Sequence, residues 1–199
     1  MFCPAMFARF SSVVLSAMVL ASCAFTPHEV SIVAHAPTDV SSVGEGVSFY
    51  LQVIDDRESL VVGQRGAQMV GADITAGQII AVLERELMAG FEAKGFTVSI
   101  SDTSGDVEVE ARLRAFKFFI ETGFWTGAEN TSVVIAIEAK KLGKDYDRTY
   151  RSSSEESIMF IPGGDSIDAK LNATLSHVLS QIMSDEKLMA FLAKRHEPS

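Results

Sequence analysis

Two periods of apolar residues alternate along the chain from residue 47 onward, one of two positions and one of three to four, and they mark strands and helices respectively. Val47, Phe49, Leu51 and Val53 share one face of a strand over 47–54, which runs into the polar turn Asp55-Asp56-Arg57. A short return strand over 60–63 follows. Ile80, Leu83, Leu87 and Phe91 form a single stripe, which predicts a helix over 76–94. Thr75 with Gln78 fits a capping box at its start, and Gly95 is placed to stop it. A strand over 96–100 closes in the turn-rich segment SDTSGD.

The longest alternation comes next, over 107–120. Val107, Val109, Ala111, Leu113 and Ala115 point one way, and Glu108, Glu110, Arg112 and Arg114 point the other. The pattern breaks at 116–120, where Phe118 and Phe119 adjoin, so a bulge or a sheet edge is predicted there. The turn ETGFWTGAEN leads to a strand over 132–140 with Val133, Ile135, Ile137 and Ala139 inward. LGKD makes a hairpin turn into a polar strand over 146–154, and an apolar run over 158–161 ends at Pro162-Gly163-Gly164. A helix over 166–183 gathers Ile167, Leu171, Leu175, Val178, Leu179 and Ile182 on one side, and a shorter one over 185–193 carries Leu188, Phe191 and Leu192.

Strands that alternate apolar and polar residues need cover on one face only, and helices with a single apolar stripe supply it. The expected fold is therefore α+β, a two-layer sandwich: a mostly antiparallel sheet of about four to six strands with two main helices on one face.

Residues 1–46 follow neither period. In MFCPAMFARF the only charged side chain is Arg9, and the apolar run SSVVLSAMVLAS follows it. That run is shorter than the roughly 20 residues a membrane-crossing helix needs, so 1–22 reads as a cleavable signal. It ends in Leu20-Ala21-Ser22-Cys23, which resembles the lipobox of bacterial lipoproteins. Small residues at 21 and 22 suit the signal peptidase, and the Cys23 thiol is the nucleophile that takes the diacylglyceryl group. Cys3 leaves with the signal, so the mature chain has no disulfide partner for Cys23. A single acyl chain holds a protein only marginally; the three chains of a mature lipoprotein terminus would make attachment effectively permanent. Residues 23–45, rich in Pro, Ser, Thr and Gly, are expected to form a flexible tether that lifts a single domain over 46–199 off the membrane.

Charge narrows the partners. Cleavage before Cys23 leaves 177 residues, a one-domain length, with 16 basic and 26 acidic side chains and a net charge of −10. Nucleic acid is excluded for want of a basic face, and electrostatic docking on anionic lipid is disfavoured.

Catalytic motifs are missing: there is no G-x-S-x-G, H-E-x-x-H, Walker loop or dinucleotide fingerprint, and no enzyme activity or cofactor is expected. Ser184-Asp185-Glu186-Lys187 matches S-x-x-K without its companion motifs, and Ser184 stands where a helix N-cap belongs. His28, His35, His177 and His196 are too dispersed for a metal site. Two clusters remain as candidates. Asp55, Asp56 and Arg57 at a strand end, with Arg65 within reach, could bind a polar ligand or form a local ion pair. Phe118, Phe119, Phe124 and Trp125, with Phe116, crowd a turn where polar residues would be expected; alternation can bury about half of them, and the rest would offer a contact patch to a partner or a membrane.

Over most of its mature length the chain resembles the YajG-type family of uncharacterised bacterial lipoproteins. The likeness is carried by LASC, by VIDDR with VVGQR after it, by ELMAGFEAKGFTV, by ARLRAFKF and by SDEKLMAFL. The resemblance implies a lipid-anchored α+β domain with no established activity, and fold likeness transmits no function. Two functions fit. One is an interaction or assembly-accessory lipoprotein of the cell envelope, anchored in the outer membrane facing the periplasm, since Ala24 and not Asp follows Cys23; its partner would be an envelope protein. The other is a binder of a small molecule, lipid or cell-wall glycan. An enclosed apolar pocket with a few convergent polar groups would favour the binder, and a filled core with an exposed aromatic edge would favour the interaction module.

Overall fold

The structure is a computed structural model that describes residues 26–65, 71–101, 107–122, 127–159 and 162–194. Along them the two sequence periods become strands β1 (His28–Glu29), β2 (Ser48–Asp55), β3 (Val61–Arg65), β4 (Ala72–Thr75), β5 (Thr97–Ser99), β6 (Val107–Thr122), β7 (Gly127–Lys141) and β8 (Lys144–Ile158). The helices are α1 (Ile79–Ala93), α2 (Gly164–Met183) and α3 (Glu186–Ala193). The fold is the expected α+β, with a second sheet added. Five strands lie in the order β5-β2-β6-β7-β8, and three short ones in the order β1-β4-β3. The long meander β6-β7-β8 is antiparallel, whereas β2 runs parallel to both β5 and β6.

The break in the β6 alternation is a bulge. The β6–β7 register shifts between Leu113 and Ala115, so Arg114 has no partner across the ladder. One extra residue reverses the facing of everything after it. Odd-numbered side chains from Val107 to Leu113 are buried before the bulge, and Phe116, Phe118 and Ile120 are buried after it. Both halves of a 16-residue strand thereby feed one core. At the opposite end of the meander, Leu142 and Gly143 take positive φ values of 53° and 71°, the geometry that lets a two-residue turn join twisted strands.

Helices α1 and α2 cover that face, their stripes buried against it. Helix α1 stops as its glycine foretold. Gly95 sits at φ 90°, its N–H donates to Glu92 O at 2.9 Å, and Phe96 N–H reaches back to Phe91 O at 3.2 Å. This is the Schellman arrangement, and its apolar contact is an aromatic one: Phe49, Phe91 and Phe96 meet edge to face at 5.2–6.1 Å. The start differs from expectation. The helix begins at Ile79 with Gln78 as an uncapped N-cap, and Thr75 spends its hydroxyl on Glu29 instead.

The segment expected to be a free tether is largely part of the domain. β1 adds to β4, and Val30, Ala34 and Ala36 enter the core. Helix α2 serves as a rail for the backbone between them. Ser31 N–H donates to Asp168 at 3.2 Å, Val33 N–H to Asn172 at 2.9 Å and His35 N–H to Ser176 at 3.2 Å, while Asn172 Nδ2 donates to Ser31 O at 2.7 Å. Two residues of extended chain advance about 6.7 Å and four of helix about 6 Å, so alternate backbone groups meet every fourth helical side chain. His28 is held there as well, 2.6 Å from Asp168.

Candidate functional site

β6 outlasts β2. The pairing of β2 with β6 ends at Asp55 opposite Leu113, and a last bond runs from Asp56 N–H to Leu113 O at 3.0 Å. The chain then turns away through 57–60 and returns as β3, which joins the small sheet and not the large one. Between β3 and the bulged half of β6 lies an open cleft of about 610 Å³, walled by Arg57, Glu58, Val61, Arg114, Lys117 and Phe119 among others. β3 comes closest at Gly63, where an added Cβ would stand 1.9 Å from the carbonyl oxygen of Phe118, so only a glycine permits this approach.

Arg57 anchors the cleft. Its Nε and Nη2 grip Asp55 at 2.7 and 2.8 Å, and Nη2 also reaches Ala76 O at 3.2 Å. The same pairing pulls the Asp55 carboxyl below its ordinary range, with burial working against it. The guanidinium side chain is 4 % exposed, and its Nη1 has no acceptor among the described residues. A buried donor without a partner costs about 1–3 kcal/mol. Arg114, set out of the ladder by the bulge, swings between Asp56 at 3.9 Å and Glu138 at 3.7 Å on the outer face of the sheet. Phe119 projects on that face with 44 % of its surface exposed.

Both candidate clusters thus converge on one place. Asp56, Arg57 and Phe119 line the cleft, and Asp55 holds Arg57. Arg65 does not join them, because it pairs with Ala72 at the far end of β3. Phe118 is corrected as a contact residue: its ring is 1 % exposed and belongs to the core, as does that of Phe116. Cys23, Phe124 and Trp125 lie outside the described residues. The cleft offers buried guanidinium donors, a mixed-charge rim and an exposed ring, a set suited to holding a chain or group that carries hydrogen-bond acceptors.

A second polar centre escaped the sequence reading. Ser184 caps the end of α2, and Asp185 is the N-cap of α3, accepting from Lys187 N–H at 2.9 Å and Leu188 N–H at 3.2 Å through Oδ1. Its Oδ2 accepts from Tyr146 at 2.8 Å, Tyr150 at 2.7 Å and Arg148. Burial opposes the charge, but the two tyrosine hydrogen bonds and the helix amides outweigh it and hold Asp185 at about 2. Burial likewise raises Tyr150 well above the ordinary phenol range. Acid, tyrosines and arginine bolt α3 to β8. Along the same layer Lys170 bridges the buried Glu129 to the exposed Glu156, and burial lowers its pKa. The alternation that marked β7 gave no hint that Glu129 faces inward. No group of three metal-ligating side chains exists among the described residues, and none of their helices is long and apolar enough to cross a membrane.

The sequence model of one protein family, described as an uncharacterised lipoprotein, matches residues 34–193. No curated protein matches the chain. Among solved structures the chain is similar to a protein of Xanthomonas campestris, at 14% identity and a TM-score of 0.48 over 83% of this chain and 93% of that one. It is also similar to a minor lipoprotein of Acinetobacter baumannii, at 11% identity and a TM-score of 0.45 over 72% and 93%. A lipoprotein of Neisseria meningitidis is a further match, at 10% identity and a TM-score of 0.35 over 68% and 97%.

Proposed function

Because the chain belongs to a family of uncharacterised lipoproteins, we propose that it is a lipid-anchored interaction module of the bacterial envelope, docking a protein partner in the cleft between β3 and β6. Within that family we read it as the YajG type, carrying its lipid on Cys23 and standing in the outer membrane towards the periplasm. No catalytic step is part of this reading.

The observation that carries the docking proposal is the place where β2 leaves β6. Beyond Leu113 no strand of the large sheet ladders onto this edge of β6, and where β3 stands off it, away from the close approach at Gly63, the edge is a template for an incoming extended segment. Here it is flanked by an exposed ring, Phe119, and by the buried Arg57, whose Nη1 meets no acceptor among the described residues. The sandwich interior is filled, with Phe49, Leu51, Phe116, Phe118, Ile135 and Ile137 all 2 % exposed or less. The cleft is open and its rim is charged, unlike the enclosed apolar pocket that favours a small ligand.

A photo-reactive residue placed at Phe119 in the native envelope tests this against the same residue at Asp147, which is exposed on β8. The expected result is a discrete protein adduct at 119 that disappears on Arg114→Glu, with none at 147. Equal adducts at both sites, or an adduct at 119 indifferent to Arg114, would overturn the cleft as the docking site. A lipid or glycan adduct at 119 would replace the protein partner with the small-ligand reading.

A further inference from the structure

The two edges of the large sheet are built differently. β5 ends one side with three residues, the short kind of edge with which sheets avoid pairing with copies of themselves. β8 ends the other with 15 residues, and its sequence KDYDRTYRSSSEESI holds neither proline nor glycine to break it. Its register with β7 runs without a shift from Lys144 opposite Lys141 to Ile158 opposite Gly127. The outer edge of β8 is therefore long and free of bulges.

Parity fixes which backbone groups look outward. Leu113 O accepts from Asp56 N–H, so Leu113 turns its backbone to β2, and Ile135 opposite it turns its own to Tyr150. The odd residues of β8 then point their N–H and C=O groups away from β7. Gln181 Nε2 meets one of these, Arg151 O, at 3.1 Å, and a carbonyl keeps a second lone pair. Among the described residues no strand pairs with this edge. Arg151, Ser153, Ser154 and Glu155 are exposed at its middle.

Charge selects the occupant. A second β8 can lie antiparallel to the first about a two-fold axis, and each register sets different residues opposite one another. Centred on Arg151, that residue faces its own copy and Asp147 faces Glu155, all like charges. Centred on Ser152, Arg148 faces Glu156, but Arg148 already holds Asp185 and Glu156 already holds Lys170. Centred on Ser153, Arg151 faces Glu155 on both sides of the axis, and no like charges meet. Neither of those two has an ion pair of its own among the described residues. Over 148–158 the two strands would exchange about ten backbone hydrogen bonds, two at each outward-facing pair.

Helix α2 leaves room for this. It lies over β7 and β8, where Thr174 meets Thr131 and Lys170 meets Glu156. Two such helices above joined strands stand about 10 Å apart, a helix-packing distance. A shallow recess of about 360 Å³ runs between α2 and the edge, lined by Ser152, Ser153, Ser154, Ala173 and His177 among others. Ala169 and Ala173 are exposed on α2, where bulkier side chains would obstruct a second helix.

We propose that two copies of this chain join edge to edge along β8, antiparallel about an axis at Ser153, making one continuous sheet. The cleft lies beyond β7, on the far edge of β6, and stays open in both copies. Asp147 falls outside the paired stretch.

The test weighs the full chain, extracted from its membrane in detergent, by light scattering with the detergent mass subtracted. Wild type should have the mass of two copies. Arg151→Glu sets acid against acid twice, and Glu155→Arg sets base against base. Each should raise the dissociation constant at least about tenfold, and both positions are exposed, so the fold should survive. The double variant recreates both pairs and should recover the dimer. A single-copy mass for wild type, a dimer indifferent to the single changes, or a double variant no better than the singles would overturn the proposal.

Discussion

Two residues, Asp185 and Gly95, each fix a junction of this fold. Asp185 receives five hydrogen bonds from α3, β8 and their side chains. Replacing it with Asn removes the charge that Arg148 and both tyrosines face, and should cost more than about 2 kcal/mol in a urea titration. The acid limb follows from the same residue. Its pKa is depressed from 3.8 to about 2 by folding, so its contribution is complete above about pH 4 and fades as pH falls towards 2. Asp185→Asn should flatten that limb; an unchanged slope would show that other carboxylates govern it. Gly95 is the other. At φ 90° and with Ser41 O 3.0 Å from an added Cβ, Gly95→Val should destabilise by more than about 1 kcal/mol, and a denaturation midpoint equal to wild type would contradict its role as the helix stop. The glycine was legible because only one residue type suits a left-handed stop. Asp185 was not, because its partners lie 35–39 positions away on β8 and no local pattern ties them to it.

Among elements, β6 sets both the core and the site. Adjacent Phe118 and Phe119 pointed to an irregularity over 116–120, but the bulge lies before it: Arg114 steps out, and from Ala115 on the strand turns its even positions inward. Deleting Arg114 should rotate Phe116, Phe118 and Ile120 to the outer face and remove more than about 4 kcal/mol of burial. A folded, equally stable deletion variant would refute the bulge. The chain leading into the domain was misread for a physical reason. Pro, Ser, Thr and Gly mark a solvated tether when nothing partners their backbone, but the partners here are side chains of a helix about 140 residues distant. Asn172→Ala removes two of those bonds, to Ser31 O and Val33 N. It should raise amide exchange through residues 31–35 while moving the global midpoint by less than about 1 kcal/mol. Unaltered exchange there would show that apolar burial of Val30, Ala34 and Ala36 suffices without the rail.

At the scale of the whole molecule, sequence periodicity was enough for the layers: one sheet face, two striped helices and a short third. It could not foresee the second sheet, since β1 and β4 together hold six residues, and the four of β4, although they alternate, are too few for a period to stand out. Nor could it foresee that strand end and aromatic segment, about 60 residues apart, would share one cleft. The account that joins these parts begins with the lipid: the chain belongs to a family of lipoproteins, and the proposal places that lipid on Cys23. The most direct measurement is therefore the mass of the N-terminal peptide of the mature chain, isolated from the native membrane. It should begin at Cys23 and carry the added mass of a diacylglyceryl group with an acylated amine, and Cys23→Ser should abolish both the modification and membrane retention. A mature chain that starts elsewhere, or that bears an unmodified Cys23 while remaining in the membrane fraction, would contradict it.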